Sequence, residues 1–133
     1  MVEVTARPDG PLPGLNLIVG VGLAGPWWVV ELSGELDVTT APAVIDQVAE
    51  LVMTDRTQVA LELSQVTFCD SSGLNAFVRL WKHAQAAGGE LVLVSPRPRV
   101  AELLARTRVD GYVRVVDVVG GVPAAGPVVP GPA

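Results

Sequence analysis

Cysteine and histidine occur once each in the 133 residues, as Cys69 and His83, and basic residues number nine against fourteen acidic ones. A lone cysteine excludes any intrachain disulfide and suits a reducing compartment. One cysteine and one histidine cannot furnish the ligand set of a Cys/His zinc site. The net charge of −5 argues against nucleic acid as a direct partner, because its phosphates call for a surplus of Lys and Arg. Long apolar runs are also missing. The longest, Leu15 to Ala24, is too short and too rich in glycine to span a bilayer. No basic stretch followed by an apolar one marks the N-terminus as a targeting signal. The expectation is a soluble, cytoplasmic protein without membrane insertion.

Half of the chain is hydrophobic, enough to build one core in a domain of this length. Glycine (14) and proline (11) are frequent, but they are unevenly placed. Five fall within residues 1–14 and eight within residues 120–133, leaving twelve for the stretch between. This predicts a flexible N-terminal tail over 1–14, one compact domain over 15–119 and a disordered Gly/Pro-rich tail over 120–133. Charge is uneven as well. Residues 31–70 hold eight acids against Arg56 alone, whereas residues 71–116 hold seven bases against three acids. That asymmetry fits either a patterned docking surface or two ordinary solvated faces.

Periodicity gives the order of elements. Leu15 to Val21 and Trp27 to Ser33 read as strands joined by a turn across Gly22 to Pro26. Ala41, Val44, Ile45, Val48, Leu51 and Val52 recur at helical spacing, with Thr39 or Thr40 as cap and Pro42 in the first turn. Thr57 to Leu63 alternates as a strand, continued by Val66 and Phe68. A second helix follows Ser72, with Leu74, Phe77, Val78, Trp81 and Ala84 on one stripe and Gly88-Gly89 at its end. Leu91 to Val94 is an unbroken apolar run, the mark of a covered strand. Pro98 opens a short helix with Val100, Leu103 and Leu104 inward, and Tyr112 to Val116 supplies an edge strand. The sequence β-β-α-β-α-β-α-β predicts an α/β fold: a mixed, mostly parallel sheet with an N-terminal hairpin and packed helices.

Two candidate catalytic motifs fail on physical grounds. Gly20-Val21-Gly22-Leu23-Ala24-Gly25 matches the dinucleotide fingerprint, and Asp37 lies at a plausible distance for a ribose ligand. That motif needs a helix after its glycines to hold the pyrophosphate, and Pro26 followed by Trp27-Trp28-Val29-Val30 is a strand pattern. The other motif is Cys69-Asp70-Ser71-Ser72-Gly73-Leu74, between an extended segment and a helix. A nucleophilic serine there needs a base, but His83 lies twelve residues past Ser71, about 18 Å along a helix. The first glycine of a nucleophile elbow is also replaced by Cys69.

Ser71 is better suited to accept a phosphate. It sits at a helix N-terminus, where a phosphate would add about −1.5 to −2 charges beside Asp70 and, if the loops converge, Asp37. The plainer alternative is that Ser71 and Ser72 are helix caps, with Ser72 better placed to bind the first-turn amides. The segment Leu32-Ser33-Gly34-Glu35-Leu36-Asp37-Val38-Thr39-Thr40, joining the second strand to the first helix, carries two acids toward the same sheet end, or is a solvated loop with a capping threonine.

Together, VVELSGELDVTTAP (Val29 to Pro42) and DSSGL (Asp70 to Leu74) resemble the anti-sigma factor antagonist family, whose fold is the STAS domain. The resemblance spans about residues 15–117. It implies that Ser71 is phosphorylated by an anti-sigma factor with serine kinase activity. Asp37, Asp70, Ser71, Ser72 and Gly73 then form the partner-binding surface. In the implied cycle, unphosphorylated protein binds the anti-sigma factor and frees a sigma factor, phosphorylation ends the complex, and a serine phosphatase resets it. On this reading the chain is no enzyme and uses no cofactor or metal. A STAS module serving a signalling assembly or a transporter is the alternative. Two departures stand out: a Gly/Pro tail replaces the closing helix of many members, and Cys69 adjoins the site, either as a redox-sensitive thiol or as a small buried hydrophobe.

Overall fold

The structure, a computed structural model, describes residues 2–4 and 16–117. Its elements are β1 (Val2–Val4), β2 (Leu17–Ala24), β3 (Trp27–Leu36), α1 (Ala41–Leu51), β4 (Gln58–Cys69), α2 (Ser71–Ala86), β5 (Glu90–Val94), α3 (Pro98–Arg106), a 3-10 turn (Val109–Gly111) and β6 (Arg114–Val116). All six strands join one sheet in sequence order, β1-β2-β3-β4-β5-β6. β1, β2 and β3 pair antiparallel, and β3 to β6 run parallel. The expected mixed, mostly parallel sheet with its N-terminal hairpin is thus present.

Three expectations need correction. Val2–Val4 lies within the stretch read as a tail, yet it pairs with Gly20–Gly22 of β2. An open antiparallel edge offers a row of free amides and carbonyls that a short Val-Glu-Val strand can satisfy. The rest of residues 1–15 and the 120–133 segment lie outside the described residues. Gly20 and Gly22 sit inside β2, opposite Glu31 and Val29, so only Gly25 of that motif is in the turn. The stripe of α2 is centred on Leu74, Phe77, Leu80 and Ala84, while Val78 and Trp81 pack at its border.

Strand alternation sends side chains to two faces. On one face, Val30, Leu32, Leu61, Leu63, Leu91 and Leu93 meet Val44 and Val48 of α1, Phe77 and Leu80 of α2, and Val100 and Leu104 of α3. On the other, Trp27, Val29, Ala60, Val92 and Val94 form a smaller buried cluster. With both faces apolar, β5 loses the polar alternation of a half-exposed strand, as its unbroken run of four apolar residues implies. The hairpin turn is tied to the loop before β4: Arg56 donates to the Gly25 carbonyl at 2.7 Å, and the Trp28 indole donates to the Arg56 carbonyl at 3.2 Å. These ties lie at the end of the sheet where β3 and β4 begin. At the far end, β3 and β4 finish together.

Candidate functional site

The last paired residues of β3 and β4 are Leu36 and Cys69. Parallel neighbours lie about 4.8 Å apart, so the residues that follow, Asp37 and Asp70, leave the sheet side by side. The Asp70 amide donates to the Leu36 carbonyl at 3.2 Å, which carries the pairing one step beyond the strand. The two loops expected at the same sheet end therefore converge.

Each aspartate builds the turn that follows it. Asp37 Oδ1 accepts from the Thr39 amide at 2.9 Å, the Thr39 hydroxyl at 2.7 Å and the Thr40 amide at 3.1 Å. These bonds favour the charged form and hold the Asp37 carboxyl below its ordinary value of 3.8. Thr40 is fully buried; its hydroxyl donates to the Glu35 carbonyl at 2.8 Å and accepts from the Asp37 amide at 2.9 Å. Neither threonine makes a side-chain cap to α1. Asp37 organises this helix start, with Thr40 as a buried cross-link.

Asp70 is the N-cap of α2. Its backbone is extended, and its Oδ1 accepts from the amides of Ser72 at 2.8 Å and Gly73 at 3.3 Å. This corrects the alternative in which Ser71 and Ser72 are the caps, with Ser72 the better placed. Asp70, two positions earlier, has the extended backbone and the reach to the second and third amides that a cap needs. Ser72 is half-buried in the first turn. Ser71 is the first helical residue and is exposed. It is left free of the capping task.

Gly73 explains how closely the helix start sits on the strand ends. A Cβ there would lie 2.6 Å from Cys69 Sγ and 3.0 Å from Leu36 Cβ. Gly34 has a similar role below: its φ is +127°, and a Cβ would stand 2.3 Å from the Asn16 carbonyl oxygen, which accepts from the Glu35 amide at 2.9 Å. The register of β3 against β4 shifts between Gly34 and Glu35, and this irregularity re-aims the strand end toward Asp37. Burial, with the Asp70 charge second, pushes the Cys69 thiol up to about 12. At neutral pH it stays protonated and is a poor nucleophile, which favours the buried-hydrophobe reading over the redox one.

The site residues named from sequence, Asp37, Asp70, Ser71, Ser72 and Gly73, thus lie on one end of the sheet. His83 is exposed in the last turn of α2, at the opposite end of the helix from Ser71. No catalytic serine–histidine pair can form. Sequence reasoning missed the structural role of Thr40 and the exposure of Val38 (70%) and Phe68 (47%) beside the aspartates. Phe68 looked like a core position because β4 reads as apolar to its end; the strand outruns its helical cover there.

A small sheet-and-helix module, with an exposed serine beside two turn-building aspartates, is suited to being bound and modified. The chain belongs to the STAS domain family, whose model matches residues 22–121. It is 28% identical over 89 residues to an anti-sigma-B factor antagonist of Listeria monocytogenes, covering 67% of this chain and 78% of that one. It is 35% identical over 77 residues to an anti-sigma F factor antagonist of Paenibacillus polymyxa, covering 57% of this chain and 66% of that one. Its fold resembles that of an anti-sigma factor antagonist from Mycobacterium paratuberculosis, with a TM-score of 0.70 at 23% identity across 78% of this chain and 88% of the other.

Proposed function

We propose that this chain is an anti-sigma factor antagonist switched by phosphorylation of Ser71. The observation that carries the reading is the division of labour at the start of α2: Asp70 takes the cap, leaving the neighbouring hydroxyl exposed. The names of the relatives from Listeria and Paenibacillus support the same function.

Charge and occupancy give the switch its direction. A phosphate on Ser71 carries about −1.5 to −2 charges. The helix terminus would ordinarily stabilise it through free amides, but Asp70 already holds the Ser72 and Gly73 amides. The added charge therefore faces outward, next to Asp37 and Asp70. A partner that closes over the unmodified surface meets repulsion and a desolvation cost when the phosphate is present.

The partner in this reading is an anti-sigma factor that is also a serine kinase, and a serine phosphatase reverses its action. The kinase transfers the γ-phosphoryl group of ATP to Ser71 Oγ, releasing ADP and the hydroxyl proton. The chain supplies only the acceptor and its surroundings and acts in the cytoplasm as substrate and binding module. Incubation with the anti-sigma kinase of the source organism and ATP tests this. One phosphate, mapped to Ser71 by mass spectrometry, is expected; modification at Ser72, or none, refutes the assignment.

A further inference from the structure

The charge asymmetry of the sequence becomes a spatial pattern at the switch end of the sheet. Glu35, Asp37 and Asp70 lie at the ends of β3 and β4. On the other side of β4, between its projecting end and α3, is a groove of about 350 Å³. Cys69, two residues before the phosphoacceptor, lines it. Phe68, Val100 and Leu103 give it apolar walls, and Arg99 and Arg106 flank it. These arginines are seven residues apart, two helical turns, and so share one face of α3. Glu102 between them pairs with Arg106 at 3.2 Å, while no described acidic residue forms an ion pair with Arg99.

Phe68 marks this groove as more than a gap in packing. It is 47% exposed at the tip of a strand whose inner residues Leu61, Leu63 and Val66 are completely buried. An aromatic ring open to water beside an unpaired guanidinium is a common composition for a protein contact, where the ring supplies area and the Arg supplies orientation. The crevice also lies outside the carboxyl ends of parallel strands, where open α/β sheets receive their ligands.

We propose that this groove docks an acidic segment of the kinase partner, with a carboxylate against Arg99 and an adjoining apolar side chain against Phe68 and Leu103. The inference rests on the function proposed above and adds a second contact to it. The acidic lip repels such a segment and the basic lip attracts it, so the pair fixes which way the partner lies across Ser71. Arg106, already engaged by Glu102, contributes less than Arg99. The acceptor hydroxyl is thereby presented to the kinase in one orientation.

Binding of the purified anti-sigma kinase, measured by calorimetry, tests the proposal with four variants whose folding is checked by circular dichroism. Arg99→Glu and Phe68→Ala should each weaken binding about tenfold or more, whereas Lys82→Glu, an equal charge change on the exposed side of α2, should stay within about twofold. Raising salt should narrow the gap between wild type and Arg99→Glu and leave that of Phe68→Ala unchanged. Ser71→Asp separates the two claims. If it releases the kinase while Arg99→Glu and Phe68→Ala bind as wild type does, the groove is refuted and the switch stands. If the unsubstituted chain does not bind the kinase, both fall. Equal weakening by Arg99→Glu and Lys82→Glu reduces the effect to net charge and overturns the docking site. If Arg99→Glu and Phe68→Ala instead dissociate a self-associated form of the chain alone, the groove belongs to a second copy and the kinase assignment is wrong.

Discussion

At the residue scale, the site depends on what is absent at Gly73. A methyl group there would lie 2.6 Å from Cys69 Sγ, closer than side chains pack, and 3.0 Å from Leu36 Cβ, a tight contact that also has to give. Gly73→Ala should therefore cost about 1–3 kcal/mol by overpacking, seen as a lower denaturant midpoint, and slow phosphorylation by lifting the start of α2. Adding Cys69→Ala removes the closer contact and should restore part of the loss. Asp70 separates charge from capping. Asp70→Ala should cost about 0.5–2 kcal/mol. Asp70→Asn keeps an acceptor oxygen for the Ser72 amide and should cost less.

Two ionisations read out the same residues. The Asp37 carboxyl is depressed by its hydrogen bonds to Thr39 and Thr40, so the protonated form is the disfavoured one in the fold. Its contribution is complete above the ordinary value of 3.8 and is lost as pH falls through its lower folded value. In a carbon-detected NMR titration the Asp37 carboxyl should titrate below 3.8, with the Thr39 amide moving alongside it. For Cys69 the sign is reversed. Its folded value of about 12 exceeds the ordinary 9.0, so its contribution is intact below pH 9 and is lost as pH rises toward 12. A disulfide reagent at pH 8 should label the native protein far more slowly than the urea-unfolded chain.

At the element scale, β3 is bent into position by Gly34. With φ at +127° and the Asn16 carbonyl where a side chain would start, Gly34→Ala should destabilise by more than about 1 kcal/mol. It should also disturb the Asp37 turn, which amide shifts of Thr39 and Thr40 would report. The elements themselves were legible because their periodicities differ: three-to-four spacing in α1, alternation in β4, an unbroken run in β5. The helix caps were not. Asp70, Ser71 and Ser72 are all good cap residues in isolation, and only the extended backbone at Asp70 decides among them. The strand order was equally hidden, since it depends on where each crossover lands. For Asp37 and Asp70, thirty-three positions apart, the order of elements showed a shared sheet end but not the pairing of Leu36 with Cys69 that sets them side by side.

At the scale of the whole molecule, the proposed switch alters the surface near Ser71 by charge alone. Ser71→Ala should bind the anti-sigma kinase as the unmodified chain does while taking no phosphate. Ser71→Asp, with about half the charge of a phosphate, should bind at least several-fold more weakly. Equal affinity of the two variants in calorimetry would remove the electrostatic account of the switch.

The sheet adds each strand beside its immediate predecessor, from β1 through β6. Each parallel pairing nevertheless closes a crossover, Trp27 against Gln58 and Gln58 against Glu90, and such non-local pairing is slow to form. The strand order also sets an order during synthesis. Asp37 meets Asp70 once β4 has paired with β3, and Ser71 gains its helical setting with α2. The arginines of α3 leave the ribosome later. A nascent chain can therefore assemble the surroundings of Ser71 before the basic side of the same surface exists.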